Sequence, residues 1–348
     1  MLDILYAEAA RWRRRAVERH PDRRRRLARP VISVGNLSVG GTGKSPVVAA
    51  LARWLVDRGE RPAILSRGYR RAVDAPGVVV VSDGHAVRAG LDRSGDEPLM
   101  LARAVPGAAV CVCADRYLAG VLAERALGAT VHLLDDGFQH VGLARDLDVL
   151  MTTLGEIPNG RVLPRGRLRE GADAAARAHV MVVMGATAGA AAAEGWTLGV
   201  GLACGGSPTL GLPEPVMARG TAAEAHLPPP EPGARVVVTC GIANPRRFID
   251  EVTAAGWRVV GEVVFPDHRR FSARDIARIS ATAADAGVSD VLTTDKDAVR
   301  FEAAGPLPFP LFRVPMTVSF DPPALLFDSV AAVLRAAGGQ RPLAGSRS

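Results

Sequence analysis

Residues 31–46 are VISVGNLSVGGTGKSP, a stretch that specifies the fold class. An apolar strand-like run over 31–34 leads into a loop holding Gly40, Gly41 and Gly43. Lys44 and Ser45 then open a segment, 46–56, whose apolar residues recur at helical spacing. A strand, a glycine loop and a helix in that order make a phosphate cradle, the P-loop. Glycines let backbone N–H groups approach a β-phosphate, and the helix N-terminus adds positive potential. Lys44 then reaches the β- and γ-phosphates and the Ser45 hydroxyl ligates Mg²⁺. The expected nucleotide loop is Ser38, Val39, Gly40, Gly41, Thr42, Gly43, Lys44 and Ser45. A strict Walker A pattern has glycine where Ser38 stands, but the flanking strand and helix supply the right context. ATP and Mg²⁺ are the expected cofactors.

Outward from this loop, strand and helix patterns alternate. Strands are expected over 63–65, 78–81, 108–112, 131–134, 149–152 and 180–183, with helices such as 97–104 and 116–126 between them. The alternation predicts an α/β fold: a P-loop NTPase-type, mostly parallel sheet flanked by helices. The Ala/Gly-rich stretch 185–195 and the Pro-rich stretch 227–233 are turn-dense and mark an inter-domain connection. Beyond them, strands over 236–239, 259–265 and 290–293 with helices over 245–255 and 273–286 predict a second, smaller α/β domain. The expected division is a basic arm over 1–30, a P-loop core over 31–200, the second domain with a closing helix over 201–337, and a disordered tail over 338–348.

Composition narrows the function classes. With 48% apolar residues in 348, a sizeable core is available. The net charge of +7 is concentrated: residues 1–30 hold ten arginines against Asp3, Glu8, Glu18 and Asp22. The arm alone is therefore +6 and the remainder +1, so the body has no excess with which to wrap nucleic acid. Four cysteines, at 111, 113, 204 and 240, show no CxxC spacing, and core packing in a reducing compartment accounts for them. No run approaches the ~20 apolar residues that span a bilayer, and no signal peptide is visible. Residues 2–19 read as a helix with Leu2, Leu5, Ala9, Trp12 and Ala16 on one stripe and arginines on the other faces. That pattern fits either a membrane-surface helix or a helix docked on the domain with solvated arginines.

A kinase also needs a carboxylate at the end of a neighbouring strand to orient Mg²⁺, and VHLLDDGFQH (131–140) supplies Asp135 and Asp136. Asp135 ends the strand and is the better metal ligand; Asp136 is placed to hold a water. Of 43 basic residues 41 are arginine, and the only lysines are Lys44 and Lys296. A lysine is a compact point charge and an arginine a wide fork, so these are positions where a fork need not fit. The D-K-D spacing around Lys296 is not the NKxD guanine-reading motif, which leaves Lys296 to the domain junction or the nucleotide surround. From the residues alone, Asp96 at the start of the 97–104 helix is either a helix N-cap or a general base.

The segments SVGNLSVGGTGKSP, SRGYRR, GDEPLML, DRY, LDDGFQH, LPRGRLRE, GIANPRRF, FPDHRRFS and TTDKDAVR, in this order, resemble the tetraacyldisaccharide 4′-kinase family. What the resemblance implies is transfer of the ATP γ-phosphate to the 4′-hydroxyl of a tetraacylated glucosamine disaccharide 1-phosphate. The product is lipid IVA, made at the cytoplasmic face of the inner membrane. It also implies that Asp96 is the catalytic base, that His268 pairs with it, and that Arg116 lies near the nucleotide phosphates. Gln139, His140 and Glu170 resemble supporting active-site residues. Arg67 and Tyr69 follow a strand, where they either meet the substrate's 1-phosphate or form a plain βα loop. Many family members begin with a longer, more hydrophobic segment, so a reversible, peripheral interfacial helix is the expected membrane attachment here. The alternatives are a P-loop kinase or ATPase with a soluble substrate and a nucleotide-switched binding protein. A switch has no use for an alcohol-deprotonating Asp96–His268 pair.

Overall fold

Strand β1 (Val31–Asn36) is buried along its whole length. It sits inside a nine-stranded sheet with β2 (Pro62–Ser66), β3 (Val79–Asp83), β4 (Ala109–Val112), β5 (Val131–Asp135), β6 (Leu147–Thr153), β7 (Val180–Met184), β8 (Ala203–Leu210) and β14 (Met316–Asp321). The structure is a computed structural model that describes residues 24–40, 43–69, 71–73, 76–216 and 228–338, with Trp12, Arg19, His20 and Asp22. Most of the expected arm helix, the tail beyond Gly338, and Gly41 and Thr42 of the glycine loop lie outside the described residues.

The strand order is β14-β8-β7-β6-β1-β5-β2-β4-β3, parallel except at the two edges, where β14 pairs with β8 and β3 with β4 antiparallel. After β1 the chain first builds the β5-β2-β4-β3 side and then crosses to β6, β7 and β8, so the order reverses at β1. In open α/β sheets ligands bind beyond the carboxyl ends of strands at such a switch point. Helix α1 (Lys44–Val56) packs Val47, Val48, Leu51 and Leu55, all fully buried, against this sheet. Truncating one such leucine to alanine would cost about 2–5 kcal/mol.

A second sheet has the order β11-β10-β12-β13-β9, from β9 (Glu214–Pro215), β10 (Arg235–Cys240), β11 (Arg258–Val264), β12 (Val291–Thr294) and β13 (Leu311–Val314). Its strands are parallel except for the short β9. The expected strands and helices are present to within a few residues, but the division at residue 200 does not follow sheet membership. Strands β8 and β14 and the closing helix Pro323–Gly338 complete the first sheet, so the chain leaves it after β8 and returns at β14. β8 was hidden because its sequence, ACGGSPTL, carries two glycines and a proline. Those glycines are needed: a Cβ on Gly205 would stand 2.1 Å from the Ala186 carbonyl oxygen, and one on Gly206 2.7 Å from Met184 Sδ.

A second correction concerns 185–195. The expected turn-dense connection is mostly a helix, Ala188–Thr197, capped by Thr187, whose hydroxyl accepts from Ala190 N. Alanine is the best helix former, and its lack of bulk had disguised the helix as a linker. All four cysteines are buried and unpaired, as core packing requires. Of the basic arm, Arg25 docks on the core, its guanidinium donating to both Asp115 oxygens at 2.8 and 2.7 Å. No helix among the described residues is long and apolar enough to cross a membrane.

Candidate active site

The carboxyl ends of β1, β5 and β2 lie side by side and deliver Asn36, Asp135 and Ser66 to one edge. Lys44, the first residue of α1, donates to Asn36 Oδ1 at 3.0 Å and lies 3.5 Å from Asp136 Oδ1. Gly43 precedes it with φ of 77°, a left-handed conformation that glycine adopts without steric cost, and as the N-cap residue it has no side chain with which to cap the helix start. The first-turn N–H groups of α1 are thus left for an anionic ligand. Gly40 has φ of 116°, and a Cβ there would stand 2.2 Å from the Arg167 guanidinium.

The loop 161–170 pins this cradle. Ser38 bridges to Leu168, Val39 N donates to the Arg167 carbonyl at 2.7 Å, and Arg167 donates back to the Val39 carbonyl. Arg169 donates to both oxygens of Asp136, at 3.1 and 2.9 Å, and to Gln139 Oε1 at 3.0 Å, while Gln139 Nε2 donates to the Asn36 carbonyl. Asn36 and Arg169 were not singled out from sequence. The position of Arg169 inside LPRGRLRE, next to Glu170, was the signal for it.

The two adjacent aspartates differ. Asp135 is buried, accepts only a long bond from Ser66 Oγ at 3.4 Å among the described residues, and has its carboxyl pushed up by burial and then by the nearby charges of Glu97 and Asp136. Asp136 also loses solvation, which alone would raise it, but Lys44 and Arg169 hold it below the ordinary range. A carboxylate destabilised by burial and like charge, beside a phosphate cradle, fits a divalent cation as its missing counter-charge. Ser45 and Asp135 would hold Mg²⁺, in keeping with that ion's preference for few protein ligands.

A second cluster joins the two sheets. Asp96 opens the helix Asp96–Ala104 of the first unit, where Gly95 and not Asp96 takes the N-cap position. Its Oδ2 lies 2.8 Å from His268 Nδ1, a residue from the loop after β11 of the second unit. Lys296 Nζ lies 3.3 Å from His268 Nε2 and 3.3 Å from Glu97 Oε1, and Arg300 Nε lies 3.8 Å from Asp96 Oδ2. Burial would raise the Asp96 carboxyl, yet the His268 hydrogen bond and the charges of Lys296, His268 and Arg300 outweigh it and hold the group below its ordinary value. Asp96 is therefore ionised at neutral pH. Asp136 and His268, with φ of 53° and 63°, are the only non-glycine residues at positive φ among the described residues. Backbone strain of that kind collects at functional sites.

Arg116, the first residue of helix Arg116–Ala126, is buried rather than exposed, with Nη1 donating to the Ala114 carbonyl and Nε without a hydrogen-bond partner among the described residues. Desolvation and Arg67 depress it, while Asp135 and Asp136 pull it up, so the carboxylate pair lies within its electrostatic reach. His140, lowered to about 4 by burial and Arg116, stays neutral beside it. Arg67 and Tyr69 are exposed at the same edge, the Tyr69 ring 6.4 Å from that of His268. Glu170 points elsewhere: it accepts from Arg177 at 3.0 Å, and Arg177 lies over the Phe138 ring, which makes it a brace under the β5 turn.

The family model described as tetraacyldisaccharide-1-P 4′-kinase matches residues 1–335. The chain belongs to this family. It is 39% identical over 305 residues to the tetraacyldisaccharide 4′-kinase of Geobacter sulfurreducens, covering 86% of this chain and 82% of that one. It is 36% identical over 340 residues to that of Desulfotalea psychrophila, covering 95% of each. Among solved structures, the Aquifex aeolicus member of the family, crystallised in complex with ATP, superposes with a TM-score of 0.74 at 26% identity, over 96% of this chain and 97% of that one.

Proposed function

We propose that this chain transfers the γ-phosphate of ATP to the 4′-hydroxyl of tetraacyldisaccharide 1-phosphate, forming lipid IVA in lipid A biosynthesis. Family membership and the ATP-bound relative support the reaction class. The observation that carries the residue assignment is the 2.8 Å contact between Asp96 and His268, an ionised carboxylate oriented by an imidazole beside a phosphate cradle.

Asp96 is the general base. Its carboxylate accepts the proton of the 4′-hydroxyl as that oxygen bonds to the γ-phosphorus, while the bond from phosphorus to the β,γ-bridging oxygen breaks and ADP departs. His268 orients the carboxylate through Nδ1. Lys44 and Arg116 meet the negative charge on the transferring phosphoryl group, and the N-terminus of α1 with the backbone of residues 38–45 cradles the phosphates. Ser45, Asp135 and Asp136 are the residues that would hold Mg²⁺, which would supply charge neutralisation to the phosphates. Asn36, Gln139 and Arg169 keep Lys44 and Asp136 in place, His140 lies beside Arg116, and Glu170 braces the loop from behind. Arg67 and Tyr69 offer an exposed landing point for the substrate's 1-phosphate. The two sheets act as two lobes with this site between them, and the chain works as a peripheral protein at the cytoplasmic face of the inner membrane. Its basic arm is the attractive element for anionic lipid.

The deciding experiment is ³²P transfer from γ-labelled ATP to tetraacyldisaccharide 1-phosphate in detergent micelles with Mg²⁺. Labelled lipid is expected, and its absence with folded, ATP-binding protein would refute the assignment. For the arm, deletion of residues 1–20 is expected to weaken co-sedimentation with anionic liposomes; unchanged binding would remove it from the account.

A further inference from the structure

Lys296 is one of two lysines in a chain with 41 arginines, and the phosphate cradle accounts only for the other. It enters from the second sheet on the helix Asp295–Glu302, whose start is fixed by Thr294: the Thr294 hydroxyl accepts from Asp297 N at 3.1 Å and lies 2.7 Å from Asp297 Oδ2. Its ammonium lies 3.3 Å from His268 Nε2, 3.3 Å from Glu97 Oε1, 3.7 Å from Asp267 Oδ1 and 4.0 Å from Asp96 Oδ2. The side chain is only 19% exposed, so these contacts describe a pocket and not a solvated tip.

An ammonium has donors and no acceptor, whereas a neutral imidazole has one of each. Where Lys296 faces Nε2, that nitrogen accepts, and the ring proton sits on Nδ1, directed at Asp96 Oδ2 2.8 Å away. We propose that Lys296 is a positioning residue: by donating to His268 Nε2 it holds the imidazole in the Nδ1–H tautomer, so that His268 donates to Asp96 and leaves that carboxylate to take the substrate proton. The inference rests on Asp96 being the base, as proposed above. With the opposite tautomer the Nδ1 lone pair would face the carboxylate, and the ring would turn away from it.

The charged and titratable groups around this ring come from every neighbouring segment. They are Asp96 and Glu97 from the helix Asp96–Ala104, Asp267 from the ring's own loop, Lys296 and Arg300 from the helix Asp295–Glu302, and Tyr69 from the loop after β2. Asp267 Oδ2 is the competing partner for Nε2, at 3.5 Å against the 3.3 Å of Lys296, and Lys296 also engages Asp267. A compact ammonium can touch three such groups in separate directions, which a planar guanidinium does not do.

The test is ¹⁵N NMR of the full-length chain labelled at histidine, with the His268 signals assigned by their loss in His268→Gln. Wild-type protein is expected to show a protonated Nδ1 and a bare Nε2. Lys296→Met is expected to lose that pattern, to lower kcat about tenfold with KM for ATP changed less than about twofold, and to have no further effect in the His268→Gln background. Lys296→Arg, which keeps a cationic donor, is expected to keep the tautomer and lose about threefold in kcat. A proton on Nε2 in wild-type protein would overturn the proposal, even if Lys296→Met failed to fold. So would a wild-type His268 spectrum in folded Lys296→Met. The spectra need no lipid, so a negative result in the transfer assay and a wrong tautomer are separate failures.

Discussion

Asp135 and Asp96 are both buried aspartates near one edge of the first sheet, yet their carboxyls move in opposite directions. Burial is the largest influence on each and raises both. Asp135 meets mainly other acids, Glu97 and Asp136, and is left raised. Asp96 meets His268, Lys296 and Arg300, all delivered by the second sheet, and is lowered. The first sheet alone thus makes a site in which Lys44 and Arg116 do not offset the burial of Asp135, an offset that a divalent cation would supply. The two sheets together make a site in which the Asp96 carboxyl is held below its ordinary value. At the nucleotide end the offsetting charge would come with the ligand, and around Asp96 it comes from the second lobe.

Variants at each end separate the two environments. The largest effect is expected from Lys44→Ala, which removes the cation between Asn36 and Asp136: phosphoryl transfer should fall roughly 10³-fold, checked by single-turnover rates. Arg300→Met attacks the second lobe. Arg300 is 3% exposed and pairs at 2.8 Å with Asp297, which is fully buried, so its loss strands a buried charge. Destabilisation of about 3–5 kcal/mol is expected in urea unfolding.

Asp135→Asn should abolish transfer yet raise the melting temperature of nucleotide-free protein at pH 7 by a few degrees. The sign follows from linkage. A carboxyl raised in the folded state loses stability as pH climbs from its unfolded value, 3.8, toward the folded one, so removing it helps most at neutral pH and least in acid. Asp96→Asn should do the reverse. A lowered carboxyl contributes stability above 3.8 that is lost as pH falls through its folded value, so wild type and variant should differ at pH 7 and converge in acid. Equal shifts of the same sign for the two asparagine variants would erase the comparison.

The nucleotide end was largely legible in the sequence because its parts are local: residues 31–46 hold strand, loop and helix start together, and Asp135 and Asp136 end one apolar strand. The acceptor end was not, because Asp96 and His268 stand 172 residues apart and Glu97 and Lys296 199 apart. No spacing rule joins them; only the resemblance paired Asp96 with His268. Lys296 was visible as a compositional exception, without its partners. Fold errors had a similar origin. β8 has Thr209 as its one β-branched residue, and the helix Ala188–Thr197 buries Ala191, Glu194 and Gly195 while its bulky Trp196 is exposed. Pairing with β14, more than one hundred residues later, is what makes β8 a strand.

In the proposed mechanism the second lobe completes a base for the acceptor hydroxyl without touching nucleotide binding. Single-turnover ³²P transfer by Asp96→Asn, with ATP affinity measured on the same preparation, tests it most directly. The expected result is a transfer rate lower by roughly 10²–10⁴-fold with ATP affinity within about threefold of wild type. Transfer at the wild-type rate, or a loss explained by weakened ATP binding, would contradict it.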